Sequence, residues 1–270
     1  MPAGKRYGEL RSLFKRANYA SDLVRVEQVM SDVIKIADQM AKKYPAMLDD
    51  YGKKYCKEIR DRLVQGYGFK MVGIGGNRAV FNIGSEDVVL KVLIEITTTS
   101  VQQNQGDLLV GQSSKYTDIF PASYGGDPDG LWMLQEKVTP LTSESEIGDY
   151  FYSDRLGRIN NADDWEVVMA ALEYIITPQF WNEADQWKIG GVMDYMSKKF
   201  SDKKKGWYSM DKIVESLMKN PHFAKWIAAI KEFDLGVGDL WLDNLGWNSN
   251  DNLVILDSGM GLKRTVGAIS

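Results

Sequence analysis

Two stretches of this 270-residue chain combine residue types suited to phosphate chemistry. The first is Gly73-x-Gly75-x-x-Arg78-x-Val80, with Gly76 inside it, followed by Lys91 within the apolar run Val88-Val89-Leu90-Lys91-Val92. Glycines let the backbone approach a polyphosphate with no Cβ in the way. A lysine in an apolar strand is costly unless an anion meets its ammonium. The second stretch is Gly238-Asp239-Leu240-Trp241-Leu242-Asp243-Asn244, then a polar turn, then Asp257-Ser258-Gly259. A hairpin between them brings Asn244 and Asp257 near its two open ends, where their oxygens suit Mg²⁺ held together with nucleotide phosphates. Asp239 stands just ahead, placed to orient or deprotonate an attacking hydroxyl. Each stretch also has a plainer reading: a β-turn with a snorkelling lysine, and a surface hairpin whose Asp and Asn supply turn chemistry. The second plain reading accounts for Asn248–Asn252 but not for the carboxylate of Asp257 at the edge of Leu253-Val254-Ile255-Leu256.

Composition narrows the alternatives. One cysteine and one histidine exclude an intramolecular disulfide and a four-ligand Cys/His zinc site. Any Ser-His-Asp triad would have to run through His222. The 37 Asp and Glu leave oxygen-ligand metal chemistry and carboxylate bases open. A net charge of −4 lacks the footprint of a nucleic-acid binder, and Lys203-Lys204-Lys205 reads as a solvated loop. The start, MPAGKRYGEL, has no apolar core to act as a signal peptide. No window approaches the run of about 18 apolar residues needed to span a membrane. The expectation is a soluble cytoplasmic protein without membrane or nucleic-acid partners.

The elements that must position these groups follow from periodicity. Residues 1–65 read as a helical extension: Leu23, Val26, Met30, Val33, Ile34, Ala37 and Met40 recur at helical steps, with Ser21 as N-cap and Pro45 as the stop. A second stripe carries Cys56 and ends before Gly66. Residues 66–138 read as a small sheet, with strands over Tyr67–Val72, Ala79–Ile83, Val88–Ile94 and Leu131–Gln135 and a loosely defined helix between Thr97 and Lys115. Residues 139–270 read as a third unit, in which the helical period returns from about 145 to 232, with stripes at Trp165, Val168, Met169, Leu172 and Ile176 and at Phe223, Trp226, Ile227 and Ile230. A hairpin of Leu245–Trp247 and Leu253–Leu256 follows.

Taken together, these motifs resemble the protein-kinase-like fold: an α+β, two-lobed architecture with a small antiparallel-sheet N-lobe, an abbreviated helical C-lobe and a helical N-terminal extension. Gly73-x-Gly75 with Val80 is similar to the glycine-rich loop, and Lys91 to the strand lysine that grips phosphates. Asp239 to Asn244 is similar to the catalytic loop, and Asp257-Ser258-Gly259 to a DFG motif with Ser for Phe. Leu134 to Val138 falls at the adenine-binding hinge. Gly68-Phe69-Lys70-Met71 and the helical lead most resemble the early serine/threonine kinases of lytic bacteriophages. That resemblance implies a phosphotransferase that uses ATP and Mg²⁺ to modify host proteins in the host cytoplasm. Gly73, Gly75, Gly76, Val80, Lys91, Glu136 and Val138 would hold nucleotide, Asn244 and Asp257 the metal, and Asp239, with Lys91, would serve catalysis.

The chain also departs from the pattern. Val237 stands where protein kinases have the histidine of HRD, and Gly238-Asp239 is similar to the HGD of aminoglycoside-type kinases. Trp241 replaces a cation near the transferred group, and Arg78 sits where a third glycine is expected. Asp107 is the expected acidic partner of Lys91, with Gln103 and Gln105 as alternatives and Glu95 too close in sequence. Residues 258–270 leave no room for an activation segment. Two further readings follow: a small-molecule phosphotransferase, and a pseudokinase acting as an inhibitory binding module.

Overall fold

Apolar residues recur at every second position over Ala79–Ile83 and again over Val88–Val92, on either side of a polar turn, and strands form there. The computed structural model describes residues 19–43, 57–94, 96–142, 146, 150–151, 168, 171–172, 174–176, 210–235, 240 and 242–257. They form an α+β fold. Strands β1 (Lys70–Ile74), β2 (Arg78–Asn82), β3 (Val88–Leu93), β4 (Ser123–Gly126) and β5 (Trp132–Glu136) make an antiparallel sheet in the order β1-β2-β3-β5-β4. A second, smaller sheet joins β6 (Thr139–Pro140), β7 (Leu245–Trp247) and β8 (Leu253–Ile255).

Helix α1 (Ala20–Lys43) covers one face of the large sheet. Val26, Val29, Met30 and Val33 are buried at helical spacing against Phe81, Leu90, Val92 and Leu134, with Ile59, Leu63 and Phe69 closing the edge of this core. The first turn is closed by a bond from the Leu23 amide to the Tyr19 carbonyl, so Ser21 lies inside the helix rather than capping it. Helix α2 (Thr98–Gly111) follows β3 and is capped by Thr97, whose side chain accepts from the Ser100 amide while Ser100 returns the bond. Cys56 and Pro45 lie outside the described residues, as do Trp165 and Met169.

The second core gathers α3 (Met210–Leu217), α4 (Pro221–Phe233) and the hairpin. Phe223, Trp226, Ile227 and Ile230 are buried along α4 as their spacing requires, with Val168 and Leu172 packed into the same cluster. Asn220 caps α4 by accepting from the amides of His222 and Phe223, and Pro221 takes the first helical position, where its missing N–H costs nothing. No helix among the described residues is long and apolar enough to cross a membrane.

The sheet departs from expectation at its start. Strand β1 begins at Lys70 and runs through Gly73 and Ile74, which pair with Val80 and Ala79 past a bulge at Met71/Gly73. The turn is correspondingly shorter, closed by the Gly75 amide on the Arg78 carbonyl at 2.8 Å. Strands β4 and β6 were not expected, because Ser-Tyr-Gly-Gly and Thr-Pro carry little strand propensity; pairing with β5 and β7 forms them.

His222 tests the packing of this half. Its Nε2–H donates to the Leu253 carbonyl at 3.1 Å, which sets the tautomer, and its ring stands edge-on to Tyr150. Burial pushes its pKa below 6.5, against the opposing pull of the Leu253 carbonyl and Asp118. The unfolded chain therefore takes up a proton that the folded one resists. Stability should decline as pH falls below about 6.5 and level off past the folded midpoint. As His222 is the one histidine, its ring resonance gives that midpoint by NMR; a midpoint above 6.5 would contradict the packing.

Candidate functional site

Strand alternation sorts the sheet into two faces. Ala79, Phe81, Leu90, Val92, Trp132 and Leu134 point into the core with α1. Arg78, Val80, Lys91, Met133 and Gln135 therefore share the other face, with Val80, Lys91 and Met133 in register across three strands. Helix α2 lies against β3, β4 and β5 and buries a polar stripe: Ser100, Gln103, Asn104 and Asp107 at helical spacing. A Cβ on Gly111 would meet the Pro121 carbonyl at 2.7 Å, so glycine there permits close approach.

Four charged groups meet between that helix, the sheet and the end of β8. Arg78 Nη1 donates to Asp107 Oδ2 at 2.5 Å and to Asn104 Oδ1 at 3.1 Å, and Nη2 pairs with Asp257 Oδ2. Asn104 is itself anchored through Nδ2 on the Gly130 carbonyl at 2.9 Å. Lys91 Nζ donates to the Leu256 carbonyl at 3.0 Å and lies 3.9 Å from Asp107 Oδ2. Gln103 Nε2 donates to Asp257 Oδ1, while its Oε1 is buried without a hydrogen-bond partner. The side chains of Arg78, Lys91 and Asp107 keep 8%, 11% and 2% of their surface, whereas that of Asp257 keeps 24%. Asp257 is the open corner of the cluster.

Burial works against each of these charges, and proximity decides which survives. For Arg78 the carboxylates of Asp107 and Asp257 outweigh desolvation and push its pKa up. Desolvation likewise opposes the Asp257 carboxylate, but Arg78, with help from Lys91 and Gln103, holds it below the usual carboxylate range. Lys91 is pushed down to about 8 by burial and by Arg78, against the pull of the two carboxylates.

The glycine turn joins β1 to β2 immediately before Arg78. Gly73, Gly75 and Gly76 have ordinary backbone angles, unlike Gly68, Gly84, Gly125 and Gly130. A Cβ on Gly76 would meet nothing within 4 Å, and those on Gly75 and Gly73 would come no closer than 3.9 and 3.8 Å to their nearest neighbours. Neither conformation nor internal packing demands glycine there; what a side chain would fill is the space in front of the turn.

No protein-family model matches the chain, and no curated protein matches it significantly. The site therefore stands on its geometry.

Of the expected residues, the geometry brings Lys91, Asp107 and Asp257 into one cluster around Arg78. Asn244 ends a 3₁₀ turn (Leu242–Asn244), and its carbonyl accepts from the Leu256 amide at 2.8 Å, which sets it beside Asp257 at the open end of the hairpin. Asp107, not Gln103 or Gln105, is the carboxylate facing Lys91; Gln105 instead donates to the Pro128 carbonyl. Glu136 uses its side chain as a clamp, accepting from the Ala122 amide at 3.2 Å and from Ser249 Oγ at 2.8 Å. Val138 is half-buried at the end of the same segment. Asp239, Val237, Gly238 and Trp241 lie outside the described residues, as do Glu95, Ser258 and Gly259.

Arg78 and Asn104 are the residues that sequence reasoning missed. Arg78 read as a displaced glycine, yet it is two positions from Val80 in a strand and so falls on the Lys91 face. An Asp107→Asn change should cost about 3–5 kcal/mol in urea denaturation, because it leaves a buried guanidinium short of its counter-ion. Asp257→Asn, at the exposed corner, should cost distinctly less; equal losses would contradict this assignment.

Proposed function

We propose that the chain is an ATP- and Mg²⁺-dependent phosphotransferase, of the serine/threonine protein-kinase type, acting on proteins of a bacterial host. The observation that carries this reading is the Lys91–Asp107 pair on the sheet face behind a bare glycine turn, with Asp257 at its open corner. A strand lysine paired with a carboxylate on the following helix is the arrangement that phosphoryl transfer uses to hold nucleotide phosphates.

The residues present fit both groups. The open space before Gly75 and Gly76 leaves room for a polyphosphate to approach the turn with no Cβ in the way, while the Gly75 amide itself is held by the Arg78 carbonyl. Asp257 and Asn244 form a donor set of the size Mg²⁺ takes when phosphates complete its shell. When bound, Mg²⁺ would neutralise charge developing on the phosphates. Lys91 would hold the phosphates, and Asp239 would orient the attacking hydroxyl and take its proton. Catalysis of this kind is mostly positioning and charge neutralisation.

The direct test incubates the protein with labelled ATP and Mg²⁺, with and without bacterial lysate, beside an Asp239→Ala variant. Label on protein that is lost in the variant is the expected result. Turnover or small-molecule labelling without protein label favours the small-molecule reading suggested by Gly238-Asp239. Nucleotide binding without turnover favours a binding module, and no binding at all sinks the nucleotide reading. Asp257→Ala should abolish Mg·ATP binding by calorimetry with the fold intact. Gly76→Val should change stability by less than about 1 kcal/mol yet weaken nucleotide binding by roughly tenfold or more; an unchanged affinity would show that the turn does not face nucleotide.

A further inference from the structure

The cluster around Arg78 is electrically closed: two cations, Arg78 and Lys91, face two carboxylates, Asp107 and Asp257. A polyphosphate entering it would meet no net positive charge. The two ends of the guanidinium are, however, held differently. Nη1 has two partners on α2, Asp107 and Asn104, and Asn104 is tied in turn to Gly130. Nη2 pairs with Asp257, the most exposed of the four groups. One end is fixed and the other is exchangeable.

A divalent cation reaching this cluster has one accessible carboxylate, Asp257, and it competes there with Arg78. Once it is bound, Nη2 loses its counter-ion within a buried site, and an unpaired charged donor is expensive to leave so. A phosphate oxygen arriving with the cation supplies the replacement acceptor, in the planar, charge-assisted geometry that guanidinium groups favour. Arg78 is suitably placed: it begins β2 immediately after the glycine turn and shares a face with Lys91.

We propose that Arg78 is a phosphate-binding residue of this site, paired with Asp257 in the nucleotide-free protein and released to the phosphates when a divalent cation occupies that carboxylate. The inference rests on the phosphotransferase reading and adds to it a second phosphate-holding cation beside Lys91. It also reverses the meaning of Arg78, from a glycine lost to a cation gained. The nucleotide and the metal then bind with positive coupling, because each removes the cost the other imposes on Arg78.

The test compares full-length wild type with Arg78→Met and Arg78→Lys. Mn²⁺ alone, titrated by electron paramagnetic resonance, should bind Arg78→Met severalfold more tightly than wild type, since Asp257 has no guanidinium partner to surrender. Mg·ATP, measured by calorimetry, should bind Arg78→Met roughly ten- to hundredfold more weakly, with Arg78→Lys between them. Opposite shifts distinguish the proposed role from structural damage, which would weaken both ligands. If Arg78→Met does not fold, Arg78→Lys carries the test, with weaker Mg·ATP binding expected in a folded protein. Wild-type affinity for Mg·ATP in a folded variant, or Mn²⁺ affinity in Arg78→Met no greater than wild type, overturns the role of Arg78 alone. A wild-type protein that binds no Mg·ATP overturns the phosphotransferase reading, and Arg78's role with it.

Discussion

The ion pair between Arg78 and Asp107 is the contact on which the candidate site depends. It ties the second strand of the sheet to α2, and through Nη2 it reaches the end of the β7–β8 hairpin. Three elements separated by up to 179 positions in sequence, from Arg78 to Asp257, are thus fixed against one another by one side chain. Buried ion pairs contribute little net stability over apolar packing, because desolvation cancels most of the attraction. The cluster is better accounted for by what it positions: a lysine, a carboxylate with an open side, and a glycine turn.

The helix that completes the cluster illustrates the same constraint from the other side. Most helices bury an apolar stripe, but α2 buries Ser100, Gln103, Asn104 and Asp107. Each needs a partner, and the fold supplies several: Thr97 for Ser100, the Gly130 carbonyl for Asn104, Arg78 for Asp107 and Asp257 for Gln103. Such a helix has few ways to dock, since sliding by a turn would strand its polar groups. The polar stripe gives the helix its register.

Much of the fold was legible in the sequence where one rule governed a segment. Alternation located β2 and β3, and helical spacing gave the buried face of α4. The polar turn between two apolar runs gave the β7–β8 hairpin. The site was legible where spacing constrains geometry: Asn244 and Asp257 flank a hairpin, so its closure had to bring them together. What escaped depended on partners remote in sequence. Strand β4 exists through pairing with β5, and β1 extends past a bulge that no local residue announces. The contacts of Arg78 escaped because a comparison with glycine patterns asks what the turn contains, whereas they follow from the face it occupies. Nothing local in the polar stretch 97–115 distinguishes a buried helix from a solvated one.

Glu136 carries a mechanical consequence. It sits where the chain passes from the five-stranded sheet to the three-stranded one, and its carboxylate grips Ala122 on one side and the hairpin turn at Ser249 on the other. The backbone on either side is also committed, the Glu136 amide to the Ala122 carbonyl and the Lys137 amide to the Asp87 carbonyl. A joint clamped at so many points resists bending, so a load applied to the hairpin turn passes into β5 as through a rigid strut. At the opposite end of the hairpin the tie to the sheet is made by long side chains instead, Arg78 to Asp257 and Lys91 to the Leu256 carbonyl.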